Sequence, residues 1–97
     1  MLNHDRAYGL HVICYDIAND RRRSCVVREI EAFGVRVQES VFECWIDEAQ
    51  RRRLEQAISR LIRPQQDSFV CYRPGGAPGE IMIVGGELSA EQRFVLV

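Results

Sequence analysis

Residues 9–17, "GLHVICYDI", carry almost no polar face. An apolar run this short reads as a central strand, with a strand along each edge and cover over its side chains. The chain must therefore build a sheet around this segment, and the residues that follow supply the parts. Asn19 or Asp20 can cap a helix in which Val26, Val27, Ile30 and Phe33 recur at helical spacing, and Gly34 is expected to end it as a C-terminal cap. In "VRVQESVFECWI", residues 35–46, Val35 and Val37 hold one alternation phase, and Phe42, Cys44 and Ile46 the other. The shift near Gln38–Ser40 predicts two strands joined through a bulge or a very tight turn. Asp47 with Gln50 three residues on forms a capping box ahead of the stripe Leu54, Ala57, Ile58, Leu61 and Ile62, and Pro64 stops that helix. Further strands are expected over 67–73 and 80–84, with the loop "PGGAPG" between them.

The order is β-α-β-β-α-β with an additional strand, an α+β sandwich of the ferredoxin-like type. At 97 residues the chain fits one domain, 1–97, with 1–8 as an N-terminal extension and 85–97 as a C-terminal tail. A domain this small buries a modest share of its surface, and oligomerisation is a common remedy. Strand 81–84 is expected at a sheet edge. The apolar end "RFVLV" either folds back on its own chain or adds to a partner's sheet.

A net charge of −1 carries no global nucleic-acid signal, so the distribution of charge matters more. All 13 basic residues are arginine, whose planar fork matches phosphate oxygens. Two triplets, Arg21, Arg22, Arg23 and Arg51, Arg52, Arg53, fall in the first turns of the two helices. Positive charge there opposes the helix dipole, which suggests contact with a nucleic-acid backbone. The competing readings are a solvated turn for the first triplet and pairing with Glu48 and Glu55 for the second. Cys14, Cys25, Cys44 and Cys71 form no C-x-x-C pair, so buried reduced thiols are expected rather than a zinc site. His11 is expected to be a satisfied structural histidine. "MLNHDRAYGL" lacks the apolar core of a signal peptide, and a cytoplasmic location is expected.

The blocks "YDIANDRRR" and "FGVRVQESVFE", then an amphipathic helix and "DSFVCYR", resemble the CRISPR-associated protein 2 family of prokaryotes over roughly residues 9–84. That resemblance implies a ferredoxin-like homodimer that joins the CRISPR integrase subunit in the spacer-acquisition (adaptation) complex and holds protospacer duplex DNA. It also implies magnesium-dependent endonuclease activity on RNA or DNA in some members. Carried over by position, Asp16 is the metal ligand and catalytic carboxylate, with Tyr15 before it. Arg23 is a basic position of the segment that follows, and Arg36, Ser40 and Phe42 match the second block. Cys25 departs from the pattern, standing where some members have a further basic residue. In the family the strand at 81–84 crosses to the partner protomer, and 93–97 would reach the integrase subunit. The alternatives are a toxin-type endoribonuclease of the same fold and a purely non-catalytic scaffold. Taken alone, a carboxylate at a strand end is an ordinary solvated or turn-capping group.

Overall fold

The structure, a computed structural model, describes residues 8–74 and 81–84. The elements run β1 (Gly9–Asp16), α1 (Asp20–Glu31), β2 (Gly34–Gln38), β3 (Val41–Ile46), α2 (Glu48–Leu61), β4 (Ser68–Tyr72) and β5 (Ile81–Val84). They form one antiparallel sheet in the order β2-β3-β1-β4-β5. The first four strands have the ferredoxin-like topology, and β5 extends the sheet beyond β4.

As its apolar run requires, β1 lies between β3 and β4. Side chains alternate across a strand. His11, Ile13 and Tyr15 face the core, whereas Leu10, Val12 and Cys14 are half-buried on the other face and Asp16 is exposed. The core joins Ile13, Tyr15, Phe42, Cys44, Phe69 and Cys71 of the sheet to Val26 and Ile30 of α1 and Leu54 and Ile58 of α2. Both helices thus bury their stripes on one face of the sheet. The opposite face carries exposed Val35 and Trp45, the latter 66% accessible. His11 is buried, its Nδ1 lies 2.9 Å from the Gly9 carbonyl, and burial lowers its pKa. All four cysteines are free, and burial pushes the Cys44 thiol up to about 11 and the Cys71 thiol up to about 12.

Asn19 supplies the α1 cap, accepting from the Arg22 N–H at 2.9 Å. The expected capping box of α2 is present, with Asp47 accepting from the Gln50 N–H at 2.8 Å and the Gln50 side chain accepting from the Asp47 N–H at 2.9 Å. The phase shift in 35–46 has both of its anticipated causes. Glu39 and Ser40 make a two-residue turn between β2 and β3, and the register shifts between Arg36 and Gln38, leaving Val37 as a bulge.

One expectation is corrected. Gly34 does not cap α1, which ends with Ala32 as its C-cap; it opens β2 instead. A Cβ at Gly34 would lie 2.3 Å from Cys44 Sγ and 2.4 Å from the Glu43 carbonyl oxygen, so glycine is there to let β2 meet β3. Strand β5 pairs with β4 of its own chain, Phe69 opposite Val84 and Tyr72 opposite Ile81, and lies at the sheet edge as expected. The extension 1–7, most of the 74–79 loop and the tail 85–97 lie outside the described residues.

Candidate active site

The β1–β3 register runs from Gly9 opposite Ile46 to Cys14 opposite Val41. That pairing sets the β2–β3 turn beside the C-terminal end of β1. The Tyr15 N–H donates to the Ser40 carbonyl at 3.2 Å, and the Tyr15 hydroxyl donates to the Glu39 carbonyl at 3.2 Å. Tyr15 itself is buried against Phe42, with ring centroids 6.2 Å apart. The aromatic pair is therefore a packed floor under the turn, and Phe42 has no exposed face on which a base could stack.

Over this floor lies a cleft of about 410 Å³ lined by Tyr15, Asp16, Ile17, Arg23, Arg36, Glu39 and Ser40. Two sequence blocks separated by α1 therefore converge on one place. Asp16 is exposed. Arg36, opposite Phe42 in the ladder, holds its guanidinium 5.4 Å from that ring centroid, a cation–π contact that fixes the fork while leaving its hydrogen-bond donors to the cleft. Arg23 donates to the Ile17 carbonyl at 2.9 Å and to Asp20 at 2.7 Å. Asp20 is thus a partner of Arg23 rather than a second free acid. No group of three or more His, Cys, Asp or Glu side chains gathers at a metal-binding distance among the described residues. Asp16 and Glu39 are the carboxylates lining the cleft, with the Ser40 hydroxyl beside them. These are hard oxygen donors of the kind magnesium takes, and magnesium keeps several of its own waters. The donor set fits that ion as a partial shell.

The arginine triplets divide. Arg22 turns away from the cleft and forms a two-pronged ion pair with Asp67, each contact 2.9 Å, and its Nη2 also donates to Gln66 at 3.2 Å. Its Nε and Nη2 donors are thus committed within the chain, which speaks for a structural role beside the expected nucleic-acid contact. Arg51 is likewise committed, paired with Glu48 and Glu55 on its own helix. Hydrogen bonding to Arg51 lowers the Glu48 pKa, whereas burial raises that of Glu55. Arg21, Arg52 and Arg53 are exposed and make no hydrogen bond or ion pair among the described residues. The triplets also stand apart. Arg21–Arg23 begin α1 at the C-terminal end of β1, while Arg51–Arg53 follow Asp47 at the other end of the sheet. Eight residues of β1 separate those ends by about 26 Å, at ~3.3 Å per residue.

Asp67 was given no role by the reading of the sequence beyond opening a strand. It is 2% exposed and accepts four hydrogen bonds: two from Arg22, one from the Ala18 N–H at 3.0 Å and one from the Arg63 N–H at 2.8 Å. These bonds, that to Arg22 foremost, hold its carboxyl down at about 2.

The sequence profile described as CRISPR associated protein Cas2 matches residues 10–76. The chain belongs to the Cas2 family. A CRISPR-associated endoribonuclease Cas2 from Chloroflexus aurantiacus is 45% identical over 62 residues, covering 64% of this chain and 67% of that one. A CRISPR-associated endonuclease Cas2 from Thermus thermophilus is 37% identical over 76 residues, covering 78% and 83%. Among solved structures, a hypothetical protein from Thermus thermophilus superposes with TM-score 0.68 at 36% identity, covering 71% of this chain and 84% of that one. Streptococcus pyogenes Cas2 superposes with TM-score 0.63 at 27% identity, covering 68% and 86%. The Cas2 match spans β1 through β4, the part of the fold that builds the cleft.

Proposed function

We propose that this Cas2-family chain acts as a magnesium-dependent phosphodiesterase, an endonuclease of RNA or DNA, from the cleft at the end of β1. The observation that carries the reading is the meeting of Asp16, Arg23, Arg36 and Ser40 around one opening. Relatives named as endoribonucleases and endonucleases point the same way. Asp16 is the metal ligand, with Ser40 as a polar neighbour. Bound there, magnesium supplies the charge that polarises a phosphodiester oxygen and makes its water more acidic. Arg36, stacked on Phe42, and Arg23, anchored on Ile17, hold the flanking phosphates by charge-assisted hydrogen bonds. Tyr15 keeps the β2–β3 turn at the correct height above the strand end.

The same reading includes a homodimer. The partial shell of Asp16, Glu39 and Ser40 is a weak cation site in one protomer, and the sheet face away from the helices exposes Trp45 and Val35. Pairing of two such faces across a two-fold axis would cover that surface and bring two Asp16 side chains together, and a cation would relieve their repulsion. Within the CRISPR adaptation complex this dimer bridges integrase subunits and holds protospacer duplex. Exposed Arg21, Arg52 and Arg53 support that role, since charges on two helices that start from opposite ends of β1 suit contacts along a duplex rather than at one phosphate.

The deciding experiment is Asp16→Asn, assayed on single-stranded RNA and on duplex DNA with magnesium and with EDTA. Cleavage should disappear while the dimer persists by light scattering. Cleavage retained by the variant sinks the assignment of Asp16. A wild-type protein inert on both substrates favours the scaffold reading.

A further inference from the structure

We infer that Asp67 is the positioning residue of the cleft, holding the segment that follows Asp16 through the Ala18 N–H and Arg22. The inference rests on the nuclease reading of that cleft. Asp67 does not line the cleft, yet three of the four hydrogen bonds it accepts come from Ala18 and Arg22, in the segment that follows Asp16. Asp16 pairs with Ser68, the residue after Asp67, where β1 meets β4. Two residues beyond Asp16, the Ala18 N–H donates to Asp67 Oδ1. The Asn19 side chain caps the Arg22 N–H, and Arg22 closes the loop by gripping both oxygens of Asp67. From the other side, Arg23 clamps the Ile17 carbonyl. Residues 17–19 are thus held at three successive positions, and two of those ties lead to one buried carboxylate.

A carboxylate has about four lone-pair sites, and Asp67 fills four with N–H donors from three separate segments. Asparagine keeps the shape but cannot accept at both ends. Its amide nitrogen would confront either Ala18 and Arg22 Nη2 or Arg63 and Arg22 Nε. Substitution should free the loop, let the Asp16 main chain swing, and loosen the Arg23 clamp while the core stays intact. Outer partners of metal ligands act in this way, and their loss typically costs ten- to a hundredfold in metal affinity.

The test compares wild type, Asp67→Asn and Arg22→Gln as full-length proteins. Amide exchange at Ala18 should accelerate by at least about tenfold in Asp67→Asn, while core amides of β3 keep their protection. Half-saturating magnesium for cleavage should rise by about tenfold, and manganous-ion broadening of the Asp16 and Ile17 amide signals should need correspondingly more ion. A simple loss of folded protein would lower cleavage at every magnesium concentration without moving that midpoint. Arg22→Gln, which leaves the Ala18 and Arg63 bonds in place, should give a smaller shift in the same direction, and it decides the matter if Asp67→Asn does not fold. An unchanged magnesium midpoint in folded variants overturns the role of Asp67 alone. Wild-type protein that neither cleaves nor shows broadening at Asp16 overturns the cleft reading and the role of Asp67 with it.

Discussion

At the residue scale, the first arginine triplet contains three different side chains. Arg21 is solvated, Arg22 is a strut on Asp67, and Arg23 lines the cleft while holding a carbonyl. Arg21→Gln should leave the melting temperature within a degree or two and reduce the salt slope of duplex binding by about 0.9. Arg22→Gln should do the reverse, lowering the melting temperature with little change in slope. Measuring both quantities on both variants separates the roles, and a slope change in Arg22→Gln would place it on the nucleic-acid surface. Asp67 also sets an acid limit. Its carboxyl sits at about 2 when folded against an ordinary 3.8, so it contributes fully above about pH 5, and the contribution fades as pH falls toward 2. The amount at neutral pH is about 2 kcal/mol. His11, lowered by burial, adds a loss of the same sign below its ordinary 6.5. Urea unfolding from pH 7 to 3 should show Asp67→Asn with a flatter acid limb than wild type.

At the element scale, most of the fold was legible because its signals are local. The capping box at Asp47–Gln50, the central character of β1 and the break near Gln38 all lie within a few residues of the structure they specify. What could not be read was contact across the chain. Arg22 and Asp67 are 45 residues apart, and nothing near "QQDSF" announces that its aspartate will hold the loop after β1. Gly34 was misassigned for a related reason: glycine after a helical stripe is the usual stop signal, and the demand that placed it comes from Cys44 on another strand. Gly34→Ala should cost about 1–3 kcal/mol by denaturant titration, because backbone as well as Sγ crowds the added methyl group. The second triplet is divided by its helix face. Arg52→Gln and Arg53→Gln should each reduce the duplex salt slope by about 0.9. Arg51→Gln should instead leave the slope nearly unchanged and loosen α2, read as lost helical circular dichroism on warming, since Glu48 and Glu55 would lose their shared partner.

At the scale of the whole molecule, the helices cover one face of the sheet and leave the other partly open. Trp45 is 66% accessible and Val35 is 70% accessible on that open face, a cost that a second copy would remove. Trp45→Glu should shift the protein toward monomer in light scattering while circular dichroism stays native. A fully dimeric Trp45→Glu would place the interface elsewhere. If two Asp16 residues share one ion, the monomeric form should also lose cleavage, although Asp16 is untouched.

The bulge at Val37 has a consequence for counting. Because side chains alternate, a strand keeps a parity, and one inserted residue inverts it for everything on the far side of the insertion. Arg36 opposes Phe42, on the cleft side, because Val37 takes up one step without a partner. Were the ladder to run on from Gln38 opposite Val41 with Val37 paired, Val37 would oppose Phe42 and Arg36 would oppose Glu43, on the face away from the helices. The phosphate-holding side chain would vanish from the cleft with no change in its identity. Replacing Val37 with threonine or isoleucine should therefore be tolerated, and deleting it should leave Arg36 opposite Phe42 with its contribution to cleavage kept; a deletion variant as impaired as Arg36→Ala would show that the register had slipped. For this hairpin, residue number modulo two carries as much information as residue type.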